Sequence, residues 1–259
     1  MRFSFLSQFS SYTIATALFL AMLVVLFLIC PWITRFRDDE TREGFAPVQS
    51  SLLGLLALLL AFTFAMSAAR YDARRHVLIE EANTITTALH RADLYPENER
   101  KQLKAYFKEY IDARLTFHDA GMSSKDLEET TSRSTDISDK IWAIAVSSAN
   151  GPDPFVRSSQ MIPALNNMID VVTTRNATRQ ATVPDSIVLM LLALCIMGSV
   201  IVGSGKPRPG RLACITFALM ISSCVFLIVD LDRPAGGSIT LDDIHQHMER
   251  LRATVANEH

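Results

Sequence analysis

Four stretches of this chain are almost free of charge, and each has about the length a helix needs to cross a lipid bilayer. The first, Thr13 to Trp32, reads TIATALFLAMLVVLFLICPW, contains no ionisable residue and closes on Pro31 and Trp32. A second runs from about Val48 to Ala69 and stops at Arg70; a third runs from about Ser186 to Val202. The fourth runs from about Leu212 to Val229 and stops at Asp230. Roughly 20 apolar residues cover the hydrocarbon core. Within it each backbone polar group must find its partner inside the segment, which a helix provides. A soluble domain would spread its apolar residues at helical or strand spacing along the whole chain. The averages conceal this segregation, with 49% of residues apolar and a formal net charge of −2. So near-neutral a balance offers no footing for nucleic acid or an acidic substrate.

The first apolar run is longer than the core of a signal peptide and no A-x-A-like site follows it, so it reads as a retained span. The linker GSGKPRPGR is only long enough for a tight turn, which makes the third and fourth spans an antiparallel hairpin. The linker around RFRDDETREGFAP makes the same case for the first pair. The expected fold is therefore all-α: a four-span integral membrane protein with a helical extramembrane layer between spans 2 and 3. Its sections are a first hairpin (1–70), the helical layer (71–183), a second hairpin (184–230) and a C-terminal tail (231–259). An even number of spans places both termini and the layer on one side. Arg70, Arg74, Arg75, Arg175, Arg179 and Arg233 lie near the membrane on that side. Arg35, Arg37, Arg42, Lys206, Arg208 and Arg211 crowd the two short loops opposite, so the positive-inside rule comes close to a tie.

In the layer, Arg70 to Asp93 continues the second span as helix, with Leu78, Ala82, Ile85 and Leu89 as its apolar stripe and Pro96 as the break. From Glu97 to about Phe117, the residues Leu103, Tyr106, Phe107, Tyr110, Ile111 and Leu115 recur at helical spacing. A third helix begins at Ser123 or Ser124 and carries Leu127, Ile137, Ile141 and Ile144 to Ala149, with a polar middle, TTSRSTD, that reads as a break. NGPDP is a turn. Ile162, Leu165, Ile169 and Val172 mark a fourth helix after it.

No sequence motif of a nucleotide-binding, hydrolytic or dinucleotide-dependent enzyme is present, so the chain reads as a non-enzyme without a cofactor. His245 and His247 are two apart and so fall on different sides of a helix, which leaves no expected metal site. Asp230, Asp232, Asp242 and Asp243 form a loose acidic group, either an ion site or a solvated face, at a spacing that matches no calcium loop. Cys30, Cys195, Cys214 and Cys224 all lie in apolar blocks and read as small packing residues. Glu80, Glu81, Arg91 and Asp93 suit pairing with Arg75 and its neighbours at four-residue spacing.

The second span is the most informative. Leu58, Phe62 and Met66 recur every four residues along one face, and Gly54, Ala57, Ala61, Ala65 and Ala68 form a small-residue stripe nearby. Two readings stand: a helix packed on one side with lipid on the other, or several copies lining a pore with Leu58, Phe62 and Met66 as an apolar constriction. Arg70, Arg74 and Arg75 would then form a cationic collar at its mouth, or else anchor to lipid phosphates.

The run LLGLLALLLAFTFAMSAARYDARRHVLIEEANTITTALHRADLYP, Leu52 to Pro96, resembles the bacterial bestrophin-like family. The match includes Gly54, Phe62, Arg70, Arg74, Arg75, Glu81, Ala82, Asn83 and Arg91. A second piece, Asp230-Leu231-Asp232-Arg233-Pro234 followed by Gly237, directly follows the last span. Bestrophins are pentameric anion channels whose second span lines the pore. The resemblance implies the same plan: a homo-oligomer, with five subunits favoured, in the bacterial inner membrane. It also implies lipid and inorganic ions as partners and a cytoplasmic helical layer. Only Phe62 is aromatic in the constriction stripe, and no acidic calcium clasp follows the fourth span, so calcium gating is not carried over. The rival reading is a non-conducting scaffold or signalling subunit that holds a partner through its helical layer. No span carries a mid-membrane ionisable residue, which disfavours a coupled transporter.

Overall fold

The computed structural model describes residues 9–34, 46–116, 124–149, 154–204, 210–233 and 248–253. Every regular element among them is helical. They are α1 (Ser11–Val24), a π-helical turn (Val25–Ile29), α2 (Cys30–Thr34), α3 (Ala46–Arg91) and a 3₁₀ turn (Ala92–Leu94). Then follow α4 (Glu97–Thr116), α5 (Ser124–Ala149), α6 (Pro154–Gln180), α7 (Asp185–Ser204) and α8 (Arg211–Asp232). Among the described residues four helical stretches are long and apolar enough to cross a membrane, as the charge pattern requires. The two short inter-span loops, with Arg35, Arg37, Arg42, Lys206 and Arg208, lie outside the described residues, as do His245, His247, Asp242, Asp243, Pro234 and Gly237.

The chain divides into two compact units. One holds the described residues up to Tyr71 together with Thr182–Arg233. Its core joins Ile14, Leu18, Met22 and Leu26 of the first span to Leu56 and Leu60 of α3, Leu191 and Cys195 of α7, and Ala218 and Val225 of α8. The π-helical turn precedes Pro31, and within it the Cys30 N–H reaches back five residues to the Val25 carbonyl. A proline ring clashes with the carbonyl four residues before it; the wider π register relieves that contact without ending the helix. All four cysteines are free, with Cys30, Cys195 and Cys214 buried and Cys224 half-buried.

The other unit holds Asp72–Ala181 and residues 248–253. Its core contains Ile85, Ala88 and Leu89 of α3, Leu103, Phe107 and Ile111 of α4, Ile137 and Ile141 of α5, and Met161, Leu165 and Met168 of α6. The α3 stripe of Leu78, Ala82, Ile85 and Leu89 is buried throughout, as its spacing predicts. Pro96 sits at the start of α4, its carbonyl accepting from the Arg100 N–H at 2.8 Å.

Two expectations need correction. TTSRSTD does not break α5, which runs unbroken to Ala149. The Ser134 and Thr135 hydroxyls donate to the Thr131 carbonyl at 2.9 and 3.0 Å, so these polar groups are satisfied inside the helix. The buried face of α6 is also turned from the predicted one: Met161, Ala164, Leu165, Met168 and Val171 are buried, while Ile169 is 42% exposed. Of the predicted stripe only Leu165 is fully buried, and the face runs through Met161, Ala164, Met168 and Val171 instead.

Candidate functional site

Helix α3 is 46 residues long, about twice what a bilayer crossing requires. Its side chains divide by angle around the axis. Leu56, Leu60, Thr63 and Ser67 face into the protein and are buried, as is Arg74 further along. The Thr63 hydroxyl donates to the Leu59 and Leu60 carbonyls at 2.8 and 3.1 Å, so a polar side chain within the span has its partners in its own helix.

The opposite face is left exposed among the described residues. Leu58 is 65% and Phe62 67% exposed. Gly54, Ala57, Ala61 and Ala65 are exposed beside them, and a Cβ placed on Gly54 would meet nothing within 4 Å. Leu58 and Phe62 thus lie with Gly54, Ala57, Ala61 and Ala65 on one outward surface, while Met66 and Ala68 at the end of the two stripes are half-buried.

The row Leu58–Phe62–Met66–Arg70–Arg74 does not stay on that surface. A helix advances about 100° per residue, so each step of four drifts about 40°. Leu58 and Phe62 are exposed, Met66 and Arg70 half-buried, and Arg74 only 7% exposed. The Arg70 guanidinium donates to the Met66 Sδ at 3.8 Å, which continues the row. Arg75 is exposed on a different flank. The three arginines therefore do not share one face. Asp72 and His76 occupy the outward face instead, both exposed, and the sequence reading had assigned them no role.

Glu81 is fully buried, and its pairing differs from the expected four-residue neighbours. One carboxylate oxygen accepts from Arg114 Nε and the other from Arg175 Nη1, each at 2.5 Å. Arg114 is on α4 and Arg175 on α6, so one carboxylate ties three helices together. Burial alone would push this carboxyl up, but Arg175 and Arg114 outweigh it and hold the group below its ordinary 4.5. Burial pushes the Arg175 guanidinium down to about 10, with Glu81 opposing, and pushes the neighbouring Tyr110 hydroxyl up to about 12. Arg175 is thus a core residue of its unit. Nearby in sequence, Asn83 is exposed, and Arg91 donates to the Gln160 carbonyl.

The end of α8 is a second junction. Both Asp232 oxygens accept the Val183 N–H, at 3.0 and 2.9 Å, just before α7 begins. Arg233 donates to the Phe9 carbonyl at the head of α1. Asp230 is buried; burial pushes the Arg233 guanidinium down, and the Asp230 charge opposes that only in part. These residues join the ends of three spans and are not a solvated acidic face. No group of three or more potential metal ligands occurs among the described residues.

The family model described as a bestrophin-like domain matches residues 16–244. A bacterial bestrophin homologue from Klebsiella pneumoniae aligns at a TM-score of 0.66 with 15% identity, covering 95% of this chain and 98% of that one. A single-substitution variant of the Klebsiella pneumoniae homologue gives 0.69 at 14% identity, covering 94% and 97%. A structure described only as a membrane protein, also a single-substitution variant, gives 0.71 at 14% identity, covering 95% and 97%. No curated protein matches the sequence.

Proposed function

The chain belongs to the bestrophin-like family, and from that premise we propose that it forms an oligomeric ion channel whose pore is lined by the outward face of α3. The observation that carries this reading is the uncovered surface of Leu58 and Phe62 on a charge-free span, bordered by small residues. Large apolar side chains around a narrow water path gate by dewetting. Glycine and alanine beside them let copies of the helix approach closely. Five subunits in the inner membrane, with the helical unit on the cytoplasmic side, is the arrangement the family suggests. Lipid surrounds the assembly, and inorganic ions are its cargo rather than substrates of an enzyme.

Anion permeation is the finer proposal, and its support is narrower than the sequence implied. Arg74 is turned inward, which leaves Arg70 and Arg75 as the collar, and Asp72 stands on the outward face with opposite charge. Charge selection is the balance of these groups.

The test is ion flux through purified protein in liposomes, with light scattering on the same preparation. Phe62→Ala is expected to widen the constriction and raise flux while the complex keeps its mass. Unchanged flux would show that Phe62 is not at the neck. A monomeric protein that conducts nothing and co-purifies with a stoichiometric partner would favour the scaffold.

A further inference from the structure

Helix α7 touches its neighbours through two glycines. A Cβ placed on Gly198 would lie 2.9 Å from Leu56 Cδ2 and 3.8 Å from Leu53 Cδ2, both on α3. A Cβ on Gly203 would lie 2.6 Å from Cys30 Sγ and 2.9 Å from Cys30 Cβ, at the end of the π-helical turn. Carbon atoms pack at about 3.5–4.0 Å, so a methyl group at Gly203 would meet the Cys30 Cβ beside the backbone, whereas one at Gly198 would meet the terminal methyl of Leu56, which must shift to admit it. The Cys30 thiol also points at the α7 backbone, 3.9 Å from the Ser199 carbonyl and 3.7 Å from that of Val200. α7 is therefore held between α3 on one side and the first span on the other.

Leu56 is 3% exposed and lies about 200° around α3 from Leu58. Leu56 is buried, so its side chain has little room to turn away, and pressure on it that its rotamers do not absorb moves α3 towards its outward face. From this geometry we propose that Gly198 is a positioning residue for the pore: α7 is the backstop of α3, and the missing side chain at 198 sets how far the helix sits back. The proposal rests on α3 lining the pore. Gly203 against Cys30 completes it, because a backstop must itself be kept from yielding, and that contact involves a Cβ rather than a mobile side-chain end.

The consequence is a compensating pair. Gly198→Ala inserts a methyl where Leu56 now packs, and a filled core answers such an insertion by displacement. Leu56→Val removes about the same volume. In liposomes, Gly198→Ala is expected to lower ion flux several-fold with the mass of the complex unchanged. Adding Leu56→Val is expected to return flux towards wild type. Relief of the clash restores stability as well, so flux is compared between complexes of equal mass, well below the melting temperature of all four proteins, where a stability loss alone leaves conduction unchanged.

Flux in Gly198→Ala equal to wild type would overturn the proposal, as would a loss that Leu56→Val leaves untouched. If the wild-type protein conducts nothing, the pore reading itself has failed and the proposal with it. That case is distinguishable, because melting of the four proteins in detergent still reports the Gly198–Leu56 contact. A double variant more stable than the two single losses predict would show the packing without the pore.

Discussion

Glu81→Gln is the substitution whose cost follows most directly from the structure. The carboxylate is the shared counter-charge of Arg114, fully buried, and Arg175, nearly so. Glutamine keeps the shape and one acceptor oxygen, but it leaves two guanidiniums buried without the charge that offsets their desolvation. Removing one partner of a buried pair typically costs about 3–5 kcal/mol. The upper half of that range applies here, because one carboxylate serves two cations. At a few degrees per kcal/mol for a unit of this size, the melting temperature should fall by about 10 °C or more. The assay is thermal unfolding of purified protein in one mild detergent, wild type against variant, repeated down a pH series. The folded Glu81 carboxyl titrates below its ordinary 4.5, so its contribution is complete above that value and lost as pH falls through the lower folded one. The wild type should therefore lose its advantage over Glu81→Gln on acidification, and the two curves should converge. Melting of Glu81→Gln within about 2 °C of wild type at neutral pH would refute the argument that the triad holds α3, α4 and α6 together.

Two further outcomes follow from the junction residues and from the outward face of α3. Asp232→Ala leaves the Val183 N–H buried with no carboxylate, at a cost of about 1–3 kcal/mol. Hydrogen exchange at that amide should accelerate; exchange as slow as in wild type would remove Asp232 from the clasp. Asp72→Lys replaces a negative by a positive charge on the face proposed to meet ions, so the reversal potential in a salt gradient should move towards that of the anion. An unmoved reversal potential would place Asp72 away from the ion path.

The sequence by itself determined the membrane class and nearly every helix. The physical reason is that hydrocarbon tolerates neither charge nor unpaired backbone, so four charge-free runs of the right length have one outcome. The same reasoning carried α3 beyond the membrane, because no glycine or proline stands between Arg70 and Arg91. Helical spacing was also enough to bring Leu58 and Phe62 onto one face with the small residues, though not to say that the face is uncovered. What only the tertiary structure decided was the partner of each charge. Glu81 has arginines 33 and 94 residues away, and no local spacing rule can report a pairing made by packing three helices. Arg74 was read with Arg70 and Arg75 because they are close in sequence, yet the 40° drift of a four-residue step turns it into the protein. The turned face of α6 has a related cause: Met161, Ala164 and Met168 are buried because their neighbours fit them, and Ile169 is exposed although its composition is the more apolar. Gly198 and Gly203 show the limit most plainly. A glycine in an apolar run looks like any small residue until the atom that would collide with its missing side chain has been located, and that atom belongs to another helix.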